Sequence, residues 1–421
     1  MKKLSLLLAV VMLFTAVASA ALADQMTVAW WGNQTRTDRT QAALDLYSAQ
    51  NEGVTFDVQP GAWADYWSQL AVAASGYELP AIIQMDYTYL NQFVENGLLA
   101  DLTPYVESGV MDISKMSEGI TASGCVGDGL YAICLGVNAP ALLYNKTLLD
   151  GAGITVKDNM TMDEFFALSK EIYEKTGVKT NVGFGTNMVL NYMVRGLGNE
   201  LFTDGKLSAT AEDIEYYFSI YEKGIKEGWM VGSEVFAETT VGTVEQDPMV
   251  YGNSPENMSW CAFFWSNQMQ ATQDAAPEGV ELGITSWPSP DVSKSNYLKP
   301  SQFFSVSRDA KDPEAAAKVV NYFLNSVECN NILLGERGIP AASDVAAAIA
   351  PQLNEVNQKI IVYINDVVSN CCSALPAAEP AEAPEFFKVM NEMVETLCYG
   401  QCTAAEATAE LLDAASSIFA K

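Results

Sequence analysis

Near the start of the chain, short apolar runs alternate with longer stretches of helical spacing, and this alternation narrows the fold more than any other feature. Met26 to Trp31 reads as a strand and Arg36 to Gln50 as the helix after it. Val54 to Val58 and then Tyr66 to Ser75 repeat the pair, and Pro80 to Met85 with Thr88 to Asn96 repeat it again. Gly97 is placed to end that third helix. A βαβαβα run of this kind specifies α/β layering around a parallel sheet, whose ligands gather beyond the carboxyl ends of the strands. Trp30-Trp31 and Asp86-Tyr87 stand just past two such ends. Adjacent strand residues face opposite ways, so one tryptophan of the pair belongs to the core and the other to the sheet edge.

Further along, Gly127-Asp128-Gly129 marks a hairpin turn, and strands are expected at 130–138 and 141–146. Helices are expected at 162–176 and 211–227, the first behind a Thr161–Glu164 capping box. A strand at 303–307, a helix at 313–325 and a mostly helical tail from Val356 follow. Prolines make 373–384 a loop within that tail. There is no internal repeat. A chain of 421 residues exceeds what one hydrophobic core organises, so two domains are expected.

The first residues have the character of an export signal. Met1-Lys2-Lys3 is basic, residues 4–18 are nearly all apolar, and small-residue cleavage sites follow Ala20 and Ala23. Cleavage is expected after Ala23, with Ala20 the alternative. The first cysteine is Cys125, so a lipoprotein anchor at the cleavage site is not expected, and the mature protein is placed in a periplasm or outside the cell. Loss of Lys2 and Lys3 takes the formal charge from −29 to −31. A field of that sign repels nucleic acid and anionic membrane surfaces.

Catalytic signatures are lacking. With no histidine, the usual nucleophile–base pairs are absent. There is no phosphate loop and no complete dinucleotide fingerprint, so no cofactor is expected. The eight cysteines permit disulfides without choosing a pairing, and their spacing does not favour a metal. Binding chemistry is better represented. Trp30-Trp31, Trp63 to Trp67, Asp86-Tyr87 and Trp265-Ser266-Asn267-Gln268 each join an aromatic ring to hydrogen-bonding groups. Pyranoses present apolar C–H faces and hydroxyl rims, and need that mixture.

Several strings then carry a family likeness: Ala29-Trp30-Trp31-Gly32, the run from Pro80 to Leu90, that from Gly97 to Tyr105, and Leu135 to Asn138 leading into Leu143 to Lys146. Thr161 to Phe165, Trp265 to Gln268, Leu298 to Ser301 and Glu336 to Pro340 complete the order. Over nearly its full mature length the chain resembles the maltose-binding-protein-like solute-binding proteins of ATP-driven (ABC) sugar importers. The resemblance implies a two-lobed periplasmic-binding-protein fold of type II, with lobes joined by crossing strands and closing on a sugar. Lobe 1 would hold residues 24–133 and 300–342, lobe 2 residues 134–299 and 343–421. It implies ligand contacts at Trp31, Arg36, Asp86, Tyr87, Asn138, Trp265, Asn267, Lys299, Ser301 and Arg337, with Trp63 and Tyr66 as additions. Trp31, Tyr87 and Trp265 would stack on rings, the others bind hydroxyls. The implied partners are a sugar and a membrane permease with separate ATPase subunits, and the protein itself would be a monomer without enzymatic activity. Two alternatives stay open. One is an exported carbohydrate-active enzyme using Asp86 with a second acid. The other is a binding protein for a different solute, with Arg36, Lys299 and Arg337 able to hold one carboxylate.

Overall fold

A computed structural model describes residues 25–183, 186–239, 244–377 and 379–420. The expected leader, residues 1–23, lies outside them. By contact the chain divides into two compact units. Unit 1 comprises residues 25–114, 124–135 and 302–337, and unit 2 comprises 115–123, 136–301 and 338–420.

In chain order, the elements begin with β1 (Met26–Trp31), α1 (Gln34–Gln50), β2 (Phe56–Gly61), α2 (Trp63–Gly76), β3 (Ile82–Met85) and α3 (Tyr87–Glu95). They continue with β4 (Ile133–Asn138), β5 (Pro140–Asn145), α4 (Met162–Thr176), α5 (Ala211–Glu227), β6 (Cys261–Trp265) and β7 (Leu282–Thr285). Then come β8 (Lys299–Val306), α6 (Pro313–Asn325), α7 (Ala383–Cys398) and α8 (Ala404–Ile418).

The alternation does build a parallel sheet. In unit 1, β1 pairs in parallel with β2 on one side and β3 on the other, and β8 joins β3 antiparallel. Helix α1 starts two residues before the expected position because Asn33 caps it, accepting the Arg36 N–H at 3.0 Å. Strand β2 is shifted toward its C-terminus, in register from Met26–Phe56 to Trp31–Gly61. It carries Pro60, which an edge strand tolerates because one row of its N–H groups needs no partner. Gly97 ends the third helical stretch in the left-handed region at φ +62°, where Leu98 N–H reaches the Phe93 carbonyl at 2.9 Å. Trp30 is completely buried and Trp31 half-buried, as the strand alternation requires.

Unit 2 is organised on a three-stranded antiparallel sheet in the order β6-β5-β7. Its core draws on Phe165, Tyr217, Phe218, Trp260, Phe263 and Trp287, with Phe386, Met390 and Leu411 from α7 and α8. Helices α4, α5 and α6 occupy the residues expected of them, and Thr161 with Glu164 closes the capping box in front of α4. Residues 115–123 join this unit, where Ser343 N–H donates to the Lys115 carbonyl at 3.1 Å. The proline-rich loop ends earlier than expected. Pro384 lies in the first turn of α7, where its missing N–H leaves no bond unmade. Among the described residues no helix is long and apolar enough to cross a membrane, and no group of three or more acidic or cysteine side chains is arranged to hold a metal. Cys261, Cys329, Cys371, Cys372, Cys398 and Cys402 are unbridged thiols.

Asp247 is an acid inside unit 2. It caps the short helix Pro248–Tyr251, accepting the Met249 N–H at 2.8 Å and the Asn181 amide at 3.4 Å. Burial raises its pKa to about 7, against the pull of those two hydrogen bonds.

Two outcomes follow. Trp30→Ala is expected to destabilise the protein by about 3–5 kcal/mol in denaturant titrations, whereas Trp63→Ala costs below about 1 kcal/mol. For Asp247 the folded state holds a proton that the unfolded chain has released. Its contribution to stability is therefore greatest in acid, and falls by about 1.4 kcal/mol per pH unit between about pH 4 and pH 7. Asp247→Asn is expected to flatten that slope in urea melts taken across the same range.

Candidate functional site

At the carboxyl end of β1 the backbone arrives at Trp31 and turns at Gly32. Trp31 is ringed by aromatics from α2: Trp63 at 4.9 Å, Tyr66 at 5.4 Å and Trp67 at 5.4 Å between ring centroids. Trp63 and Trp67 lie four apart on α2, and so share a face. Trp67 also stacks on Tyr89 of α3, with centroids 3.9 Å apart and planes 25° from parallel. The expected aromatic edge is therefore a packed cluster in which Trp63 is the most open ring, 45% exposed. Tyr87, at the start of α3, is 38% exposed. Asp86 precedes it as the helix cap, accepting the Thr88 N–H at 2.9 Å.

Beneath this edge lies a polar lattice. The Tyr66 hydroxyl donates to the Gln84 carbonyl at 2.8 Å and the Ala29 carbonyl at 3.3 Å. The Gln84 side-chain amide donates to the Trp31 carbonyl at 3.2 Å and accepts from Nη1 of Arg337. Nη2 of Arg337 donates to the Thr40 hydroxyl at 2.7 Å, and its guanidinium lies 4.8 Å from the centre of the Phe304 ring. Burial first, and the like charge of Arg36 second, press the Arg337 pKa downward, while Glu336 pulls it back. Arg36 itself grips Glu336, its Nε 2.9 and 3.1 Å from the two carboxylate oxygens. Its Nη1 donates to the Trp31 carbonyl at 3.0 Å. A methyl group on Gly32 would meet Cδ of Arg36 at 2.4 Å, so the turn must be glycine for the arginine to lie across it.

Two of the residues expected to touch ligand are enclosed. Tyr66 is 1% and Arg337 2% exposed, and both direct their polar atoms to neighbours inside unit 1. Their bonds tie the strands and helices together beneath the edge. Trp67, Tyr89 and Glu336 were not singled out as site residues. The four-residue spacing of Trp63 and Trp67 was a usable signal for the first, and the Glu336–Arg36 pair bridges 300 residues of sequence with no local signal at all.

The remaining expected residues are in unit 2. Trp265 ends β6, its N–H given to the Gln268 side chain at 3.0 Å, with Trp287 and Tyr297 at 6.1 and 6.2 Å. The Lys299 ammonium sits over its ring at 4.6 Å, a cation–π contact that occupies one face of the indole. Asn267, in the short turn after β6, is exposed, and Asn138 is half-buried at the end of β4. The Ser301 hydroxyl donates to the Gly136 carbonyl at 2.8 Å.

Residues 42–358 match the family described as bacterial extracellular solute-binding protein, which covers well over half of the chain. The chain belongs to that family. A 95-residue stretch is 32% identical to the arabinooligosaccharide-binding protein of Halalkalibacterium halodurans, covering 22% of this chain and 21% of that one. Another, of 169 residues, is 29% identical to the lactose-binding protein of Rhizobium radiobacter and covers 38% of each. These matches thus span about two-fifths or less of the relatives' length. The fold is that of an extracellular solute-binding protein family 1 structure from Alicyclobacillus acidocaldarius, with a TM-score of 0.85 at 23% identity over 94% of this chain and 98% of that one.

A supporting role for Tyr66 in this solute-binding protein is directly testable. Tyr66→Phe is expected to lower stability by about 1–2 kcal/mol, through a buried carbonyl left without its donor, while changing ligand affinity less than twofold. Calorimetric binding and urea melts on the same sample separate the two.

Proposed function

We propose that the protein is the extracytoplasmic substrate-binding component of an ABC transporter, and that its ligand is a sugar, an oligosaccharide or glycoside, handed intact to a membrane permease served by separate ATPase subunits. The observation that carries this reading is the aromatic edge at the end of β1, where Trp31 and the open ring of Trp63 pack together, Arg36 bonds the Trp31 carbonyl, and Asp86 stands at the end of the neighbouring strand β3. That combination suits a ring with an apolar face and a hydroxyl rim. The sugar-binding names of the two relatives support the same reading.

The ligand contacts proposed in unit 1 are Trp31, Trp63, Arg36, Asp86 and Tyr87. Those proposed in unit 2 are Asn138, Trp265, Asn267 and Lys299, with Ser301 beside them. A sugar that stacks on Trp265 must share the indole with the Lys299 ammonium. No chemistry on the sugar is called for. The working form in this reading is a monomer exported to a periplasm or beyond the cell.

A thermal-shift and calorimetric panel of mono-, di- and oligosaccharides, with amino acids and metal ions as other solute classes, tests the reading. A ligand that binds only the folded protein raises its melting temperature by mass action. One sugar series is expected to shift the transition, and mass spectrometry to recover that sugar unchanged. Silence across sugars with a shift for another class, or turnover of the sugar, contradicts it. Trp31→Ala and Trp265→Ala are each expected to weaken binding of the responding sugar about tenfold or more, about 1.4 kcal/mol.

A further inference from the structure

We propose that Glu336 sets the charge class of the ligand: by neutralising Arg36 beside Trp31, it makes this surface select uncharged sugars over uronates. The inference rests on the sugar-binding reading above and adds a residue and a selectivity to it.

Arg36 keeps an accessible edge, with 18% of its side chain exposed against 11% for Glu336. A bare guanidinium at a sugar site is a uronate receptor, because its parallel N–H groups match a carboxylate in bidentate fashion. Here part of that capacity is already used. Both oxygens of Glu336 lie on Nε, and Nη1 is held by the Trp31 carbonyl. Gly32 leaves room for the arginine to lie close across the turn. A ligand carboxylate would have to share the guanidinium with Glu336. Relative to a bare guanidinium, a like charge about 6 Å away at an effective dielectric near 20 offsets the attraction of Arg36 for that carboxylate by about 100-fold in affinity.

The second guanidinium does not rescue the uronate. Arg337 also feels Glu336, but it is enclosed in the core with its Nη atoms on Gln84 and Thr40, and it presents no donor outward. Along the same sheet edge Asp65 and Asp86 begin the helices that follow β2 and β3, and both carry the repelling sign. A neutral hydroxyl is served by the same arrangement. It can accept from a remaining N–H of Arg36 while donating to a carboxylate oxygen of Glu336, and a hydroxyl both donates and accepts.

The test is isothermal calorimetry on the full chain with lactose, arabinotriose and cellotriose as neutral probes and trigalacturonate as the charged one. In the wild type the best neutral probe is expected to bind at least tenfold more tightly than trigalacturonate. Glu336→Gln, shown folded by its thermal melt, is expected to narrow that ratio at least tenfold, because the freed guanidinium accepts the ligand carboxylate. Arg36→Gln is expected to move the ratio the other way, by leaving Glu336 uncompensated, and it serves if the first variant does not fold. Trigalacturonate bound as tightly as any neutral probe, or a ratio unmoved in both variants, overturns the role of Glu336 and leaves the sugar-binding reading intact. No heat with any saccharide overturns that reading, and this proposal with it.

Discussion

The Arg337 guanidinium is a full positive charge inside unit 1, and the geometry of the β1 edge depends on how that charge is accommodated. A buried cation is tolerated only when its donors are met, and here Gln84 on β3 and Thr40 on α1 meet two of them, with the Phe304 ring of β8 alongside. Gln84 in turn holds the Trp31 carbonyl, and Tyr66 holds the backbone of β1 and β3 together. Two strands and two helices are thereby fixed at the point where the sheet ends. Removing one partner would strand a charge or a carbonyl, so the lattice is costly to disturb and the surface above it is rigid. Rigidity has a functional consequence. A pre-formed aromatic surface loses little conformational entropy when a ligand ring settles on it.

Above the lattice, electrostatics and packing act on the same few residues. Glu336 answers Arg36 near the surface and part of the Arg337 charge below, so one carboxylate serves a partly buried and a fully buried guanidinium. Trp31 is supported on three sides by rings, which leaves Trp63 as the accessible rim of the cluster. Unit 2 arrives at a similar chemical mixture from a different sheet, with Trp265 at the end of β6 under the Lys299 ammonium. In both units a tryptophan at a strand end has a cation beside it, Arg36 on the Trp31 carbonyl and Lys299 over the Trp265 ring.

How legible this was from the sequence differs from residue to residue. The strands and helices of unit 1 were readable because the period of the apolar residues changes between strand and helix, and Gly97 there and the Thr161–Glu164 box in unit 2 mark boundaries by local chemistry alone. The opposite fates of Trp30 and Trp31 followed from strand alternation. The edges of β2 were misplaced because its register is set by pairing with β1, a non-local constraint that carried the strand through Pro60. Tyr66 and Arg337 have the residue types of a sugar site, and a motif cannot tell whether a hydroxyl or guanidinium points out or in. The contacts that decided it join Arg337 to Thr40 and Gln84 across 297 and 253 residues of chain. The Arg36–Glu336 pair was hidden for the same reason. Family membership was legible in short strings, each weak and together ordered, and residues 42–358 match that family.

A fold shared at low identity sets the scaffold and leaves the ligand to the side chains at the strand ends. The central claim is that Trp31 and its neighbours contact a sugar while Tyr66 and Arg337 support them from below. A crystal structure of the protein grown with a sugar that shifts its melting temperature tests this most directly. The account predicts a sugar ring against Trp31 or Trp63, hydroxyls within hydrogen-bond distance of Arg36 or Asp86, and Tyr66 and Arg337 still bonded to Gln84. A sugar bound away from the β1 edge, or one reached by the Tyr66 hydroxyl or the Arg337 guanidinium, would contradict it.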